Sequence, residues 1–458
     1  MENQMHGAQL QTALYAAETQ SANIAVKHIL NFIVNRYAGI TIIKASSVCQ
    51  EGSILSKICV AFWCCYTRSS DSIWRTGVGT QPSHRSYKGT TSRLTQSRSM
   101  GKKLTLDNER ATRFGLEGRG KNVIAATCET QLEEAAGEME GGMMAKIYWG
   151  EEARISEEEI LKNVMEVAEE DEAVRGHVPV LLLAKNFTVS TSTIRKALGL
   201  EHPEQGSRTL FLLVFNKLSP IKELQGDDLF DAWRQCVLSH YVLWKAGIHH
   251  RDVSCENLVY YRVKDKVIGV LNDYDLSSLS SDNPLGNERT GTMLFMAIDL
   301  LEATGRDGKV KHLYRHDMES FIWMFIWICY QFKDGKLRPR GPLDAWAKVD
   351  AKGCVDTKRS FLVATLVPED VAHDFQVLSL LVFLYARHNV RYDIKRQLAL
   401  AKRQPVSQGS TPTASQSAPS SQRIQTLNTK LVEQSDDVVF GEFTTEIGFD
   451  TMYIDTIV

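Results

Sequence analysis

No Cys-x-x-Cys pair and no metal-ligand spacing occurs among the nine cysteines of this 458-residue sequence. An odd cysteine count without paired spacing argues against a zinc ribbon or a disulfide framework. It fits reduced thiols in an intracellular protein, of cytoplasm or nucleus. Long apolar runs are also missing. The two most apolar stretches, ICVAFWCCY near residue 60 and FIWMFIWICY from Phe321, fall far short of the ~20 residues that a membrane helix needs. Both read as core elements, and no membrane segment is expected. The N-terminus has no basic start followed by an apolar run, so no secretory leader is expected. Charge of one sign is lacking too: 53 Lys and Arg against 55 Asp and Glu leave a net charge of −2. That balance points to no polyanion partner for the whole chain, and no nucleic acid is expected. There is no internal repeat.

What is present is ordinary globular composition, 43 % hydrophobic and 24 % charged, on a chain long enough for a two-lobed domain with appendages. Residues 1–103 form a poorly defined N-terminal region, partly disordered. Within it, ANIAVKHILNFIVNRYAGITIIKA suggests a helix followed by a strand. From Thr67 to Lys103 the composition turns to Ser, Thr, Gly, Arg and Lys. It reads as a flexible connection, with a basic patch for an acidic partner as the alternative. Residues 104–218 read as short strands with one strong helix. GLEGRGKNVIAAT and GGMMAKIYW suggest two strands, and HVPVLLLAKNF and RTLFLLVFNKL two more. SEEEILKNVMEVAEED opens with Ser156 as N-cap and Glu159 three residues on, a capping box. Ile160, Val164 and Val167 then share a face.

Residues 219–403 read as mainly helical. Phe230, Trp233, Val237, Tyr241 and Trp244 recur at spacings of three or four, and Gly247 marks the stop. HDMESFIWMFIWICY is apolar on all sides, as a helix in the middle of a domain should be. Residues 404–425 read as a disordered Ser/Pro/Gln linker. Residues 426–458 form an acidic tail with enough Phe, Ile and Val to dock on something.

The stretch HHRDVSCENLVYY, residues 249–261, carries chemistry. Phosphoryl transfer needs a carboxylate to orient the attacking hydroxyl, oxygen ligands for Mg²⁺, and positive charge on the phosphates. Asp252 suits the first task. Asn257, five residues on, and Asp273 in LNDYDL suit the second. Lys146 lies in the strand segment AKIYW. It is either paired with a Glu of the following helix and aimed at phosphates, or it is an edge-strand lysine facing water. Gly115, Gly118 and Gly120, followed by Val123, form either a phosphate-approaching turn or a plain hairpin. The order of these parts along one chain is what a single reaction explains.

GIHHRDVSCENLVYY, GVLNDYDL, ERTGTMLFMAIDLL and YRHDMESFIWMFIWICY together resemble the fungal-type protein kinase domain family, a divergent group of eukaryotic protein kinase-like proteins. The resemblance covers residues 104–350, with a fainter echo in VAFWCCYTRSSDSI. It implies an α+β, two-lobed protein kinase-like fold, with a small β-rich N-lobe carrying one helix and a larger, mainly helical C-lobe. It implies ATP and Mg²⁺ as cofactors, a protein substrate, and transfer to Ser or Thr. Carried over, Asp252 is the catalytic base, and Asn257 and Asp273 are Mg²⁺ ligands. Lys146 contacts the ATP phosphates with Glu157 as its partner. Gly118, Gly120 and Val123 cover the nucleotide, and Phe215, Asn216, Lys217 and Leu218 meet adenine. His250 and Arg251 hold the loop, Asp317 braces its backbone, and Thr292 bonds the catalytic Asp.

The sequence departs from the kinase pattern at several points. Ser254 stands where Ser/Thr kinases carry a lysine. Asp275 replaces the glycine of the metal triplet. Asp299 stands in AID in place of Ala-Pro-Glu. Glu288 falls where many kinases carry an activating phosphate, and reads as a fixed negative charge or as a solvated loop residue. Two other readings follow: a pseudokinase acting as a binding scaffold, and a small-molecule kinase of the aminoglycoside or choline type. Cys255 reads as incidental.

Overall fold

The computed structural model describes residues 30–35, 39–45, 97–99, 102–112, 121–128, 142–197, 202, 204–279, 291–364, 371–403, 419–432 and 436–448. Gly115, Gly118, Gly120 and Glu288 lie outside the described residues, as does most of 1–103. Contacts divide the chain into two units. One holds residues 1–154 and 180–217; the other holds 155–179 and 218–458.

The first unit is β-rich. β1 (Leu30–Asn35) and β2 (Gly39–Ala45) pair antiparallel as a separate two-stranded sheet. The expected helix-then-strand is therefore two strands. The β-branched run Ile33, Val34, Ile40, Thr41, Ile42 and Ile43 suits the pleat better than a helix, because branching at Cβ crowds the helical turn. The main sheet has six strands: β3 (Ser97–Ser99), β4 (Lys102–Thr112), β5 (Asn122–Cys128), β6 (Met143–Glu151), β7 (Leu181–Ser190) and β8 (Arg208–Asn216). Their order is β3-β4-β5-β6-β8-β7, and every pairing is antiparallel. Ile124, Ala126, Met143, Ala145, Ile147, Leu212 and Val214 form its core, with Leu182, Leu183, Phe187 and Leu210 packed against them. β6 is flanked by β5 and β8, so it is an interior strand.

The second unit is mainly helical. α1 (Glu157–Glu170) starts at Ser156, whose hydroxyl accepts from the Glu159 amide at 3.2 Å, the first half of the expected capping box. Three glutamates in its first turn suit the positive end of the helix dipole. Its buried face is Glu157, Ile160, Leu161, Val164 and Ala168, with Val167 at the margin. α2 (Gly226–Lys245) stops two residues before Gly247 and buries the predicted Trp233, Val237, Tyr241 and Trp244. Phe230 is half-buried and stacks on Trp233.

Short strands frame the loop that follows α2. β9 (Ser219–Pro220) and β12 (Lys266–Leu271) flank β11 (Leu258–Val263), while β10 (Ile248–His249) pairs with β13 (Ser278–Leu279). Gly269 lets β12 lie directly on α2: a Cβ there would stand 2.2 Å from the Ala232 carbonyl oxygen.

α3 (Tyr314–Gln331) is buried on nearly every side, as its sequence demands. α4 (Ala351–Ala364), α5 (Asp374–Arg403), α6 (Pro419–Val432) and α7 (Asp436–Glu446) follow in the same unit, and the short helices Ile298–Leu301 and Ala303–Arg306 precede α3. α6 begins inside the Ser/Pro/Gln segment, with Pro419 at the first helical position, where its missing N–H costs nothing. The tail docks through α7, which buries Val439, Phe440 and Phe443.

Candidate active site

In the β-rich unit, Lys146 pairs in register with Leu213 and is only 5 % exposed. This excludes the reading of an edge lysine facing water. An ammonium held in an interior strand is costly unless partnered. Its Nζ stands 4.7 Å from the Tyr148 ring centroid, a cation–π contact. Val123 is half-buried on β5, where it pairs with Lys146 itself. Phe215 and Asn216 end β8 as buried residues. Lys217, just beyond, is tied by its amide to the Gly142 carbonyl.

In the helical unit, the loop after β10 is organised around neutral and charged hydrogen-bond partners. His250 is buried, and burial holds its imidazole below the usual histidine range, so it is neutral. Its Nδ1 accepts from the Asp252 amide (3.3 Å), so Nε2 carries the proton and donates to the Asn272 carbonyl (3.0 Å). One ring thus joins the loop to the segment before Asp273. The Asn272 amide also bonds the Asn257 carbonyl at 2.8 Å.

Asp317, at the start of α3, braces the loop from below. Its Oδ2 accepts from the Arg251 amide (3.4 Å) and contacts His240 Nε2 (2.9 Å), while Oδ1 contacts His312 Nε2 at 2.6 Å. Burial alone would raise this carboxyl; the charges and hydrogen bonds of His312 and His240 outweigh it and hold the group well below the usual range. Arg251 and Asp273 both adopt left-handed backbone, φ +66° and +72°. Such conformations cost a non-glycine residue on the order of 1 kcal/mol or more and cluster at functional sites.

The Asp252 carboxylate is gripped at both oxygens. Oδ1 accepts from the Thr292 amide (2.8 Å) and hydroxyl (3.0 Å). Oδ2 accepts from Asn257 Nδ2 (3.2 Å), which also bonds the Asp252 carbonyl at 2.8 Å. Gly291 permits the approach of Thr292. At φ +127° its backbone passes so near the Arg251 carbonyl that a Cβ would come within 3.0 Å of it. Beyond the metal triplet's first Asp, the Tyr274 amide bonds Glu157 Oε1 at 3.2 Å, so Glu157, buried on α1, is tied to this segment. Asp275 lies in the helical turn Tyr274–Leu276 and needs no glycine; the left-handed residue is Asp273.

The sequence model of the family described as Fungal protein kinase matches residues 72–329, more than half of the chain. The chain belongs to that family. Its β-rich unit and larger, mainly helical unit are the α+β, two-lobed kinase architecture expected for a member. Among solved structures, this kinase-family chain is similar to the Cydia pomonella granulovirus kinase PK-1, at 14 % identity over 61 % of this chain and 86 % of that one, TM-score 0.37. It is also similar to vaccinia related kinase 3, at 11 % identity over 76 % and 92 %, TM-score 0.39. No curated protein matches it. Among the described residues, no helix is long and apolar enough to cross a membrane.

Around the segment after Thr292, sequence reasoning singled out Asp299 but missed Glu319, Lys358 and the cations that meet Asp299. The Ile298 amide bonds Glu319 Oε1 (3.0 Å), and the Met296 carbonyl accepts from Lys358 Nζ (2.6 Å). Asp299, buried, meets Arg391, Lys395 (3.0 Å) and Arg315 (3.7 Å). Burial would raise its carboxyl, but His316 and the cations Arg391 and Lys395 hold it far down. Lys358 shares the narrow apolar face Cys354, Val355 and Leu362 of α4, the one sequence sign that it faces inward. Cys255 is buried, and burial pushes its thiol up to about 12, which suits an inert thiol.

Proposed function

We propose that the chain is an ATP- and Mg²⁺-dependent protein kinase that transfers the γ-phosphate to a Ser or Thr hydroxyl of a protein substrate. The observation that carries this reading is the grip on Asp252. A carboxylate clamped by Thr292 on one oxygen and Asn257 on the other has a fixed direction. Fixed direction is what a base needs to align an attacking hydroxyl and take its proton. In a loose phosphoryl-transfer transition state, positioning and charge supply most of the catalysis.

The residues present suit a divalent cation. Asn257 Nδ2 is spent on Asp252, which leaves Oδ1 as the oxygen ligand of that side chain. Asp273 supplies a carboxylate one residue beyond the Asn272–Asn257 hydrogen bond. When bound, Mg²⁺ would neutralise charge on the phosphate oxygens. Lys146 would bind the α and β phosphates, Glu157 fixes the backbone after Asp273, and Phe215 to Leu218 would receive adenine. The segment from Thr292 to Ile298 would seat the peptide, and its anchoring by Glu319 and Lys358 favours a protein over a small-molecule substrate.

A scaffold without transfer activity is the second reading. It is favoured by Ser254, which is buried and brings no charge to the loop. One comparison separates the two. Wild type should be stabilised against heat by Mg²⁺–ATP, and Asp273→Asn should lose that shift. Asp252→Asn should keep nucleotide binding but lose roughly 10²–10⁴-fold of phosphotransfer to generic protein substrates. Nucleotide binding without transfer in wild type would favour the scaffold. No binding at millimolar ATP would defeat the proposed function.

A further inference from the structure

We infer that the C-terminal helix α7 is a positioning element for the catalytic loop, acting from Asp436 through Trp244 and His249. The proposal rests on the kinase reading for its activity measurement only.

The seat of α7 is built in detail. Phe440 stacks on Tyr241 with centroids 3.5 Å apart and lies 6.0 Å from Tyr314. Phe443, fully buried, meets Trp233 edge-on at 6.0 Å and Phe383 at 5.8 Å. Polar contacts fix rotation and register. The Tyr241 hydroxyl donates to Asp437, which Lys245 approaches at 3.5 Å, and Glu442 and Glu446 meet Arg387 and Ser379. Arg234 closes the end at the Gly448 carbonyl, 3.1 Å. The segment thus offers an acidic pair, then two phenylalanines three residues apart, to a face carrying Tyr, Trp and Lys.

One of these contacts reaches the chemistry. Trp244 Nε1 donates to Asp436 Oδ2 at 2.8 Å. The indole is thereby held flat on His249, with centroids 3.9 Å apart and planes 23° from parallel. His249 immediately precedes His250-Arg251-Asp252, and it pairs with Ser278 on β13, just past the Asp273 turn. Burial, with the Arg251 charge beside it, pushes His249 down to about 4, so at neutral pH it is an uncharged ring that stacks without a charge to solvate. The indole has two χ angles, and its hydrogen bond removes the remaining freedom of the ring. Loss of Asp436 therefore loosens the stack at the base of the catalytic loop, not the clamp on Asp252 itself.

The test uses the full chain and hydrogen exchange of residues 249–257, with kcat and KM beside it. Asp436→Ala should speed exchange in 249–257 and lower kcat by about two- to tenfold, the scale of one ordinary net hydrogen bond, with KM for ATP unchanged. Asp436→Asn keeps an acceptor oxygen and should restore both. Trp244→Phe keeps a stacking ring but no donor, so it should match Asp436→Ala, and the double variant should be no worse than either single one. Faster exchange confined to 436–448, with 249–257 unchanged, would overturn the inference. So would a uniform rise across residues 226–331, which marks general loosening. An inactive wild type would sink the kinase reading alone, and exchange would still decide this one.

Discussion

Lys358 places an ammonium in a fully buried site whose hydrogen-bond partner, the Met296 carbonyl, carries no charge, over the Trp323 ring at 5.1 Å. Burial pushes its pKa down to about 8 from 10.5. Between those values the unfolded chain binds one proton more than the fold, so stability rises with pH across that window. Below about 8 the fold carries the whole cost, about 3 kcal/mol. Lys358→Met should therefore raise stability at pH 7 by about 1–3 kcal/mol in urea titrations, after loss of the hydrogen bond, and flatten the alkaline rise. A destabilised variant would show that the carbonyl contact outweighs the buried charge. Asp252, Asn257 and Asp273 stood out in the sequence because one reaction explains their order, while Thr292 and Asp317 came only with the family resemblance. Lys358 stayed hidden, because a lysine in DTKRS has the local look of a solvated helix face. Only the packing of α4 on the segment after Thr292 turns it inward.

The elements that were legible are those whose periodicity agrees with their burial. α1 carries its cap and apolar face in plain view, and the middle of α3 is apolar on all sides because almost none of it meets water. The residue 30–45 region misled because Ala, Lys and His before it suggest a helix while β-branched residues decide the local outcome. A contact such as that of β12 with α2 leaves no periodic trace: a single glycine marks it. Gly269→Ala should cost about 1–3 kcal/mol, since the Ala232 carbonyl oxygen belongs to helix backbone and has little room to give. Urea midpoints should show the loss at unchanged slope. Wild-type stability in the variant would mean that β12 moves off α2 without penalty.

For the whole molecule, histidines buried as neutral rings set the acid limit. Burial pushes His316 down to about 4 despite the nearby Asp299, and His177, His250 and His373 are lowered by burial as well. Each binds a proton in the unfolded chain before it does so in the fold. Stability should fall as pH drops below about 6.5, with His316 alone contributing about 3 kcal/mol between pH 7 and pH 4. Calorimetric melting from pH 7.5 to 5.0 checks this, and His316→Asn should shallow the fall. A flat profile would show that these rings are hydrated or already charged in the fold. The change of period near residue 218 was readable, but the sequence grouped α1 with the strands, whereas contacts group residues 155–179 with the helical unit. The return of the tail onto α2 was readable only as spare apolar residues without an address.

Those late-arriving residues bear on how the protein is made. α3 contributes the Asp317 brace, and its neighbours include Phe443, reached through Trp233 and Phe325. A ribosome releases α3 long before α7, so the growing chain must carry this apolar helix partly uncovered until α7 emerges. A premature stop after Arg403 would leave that surface permanently bare.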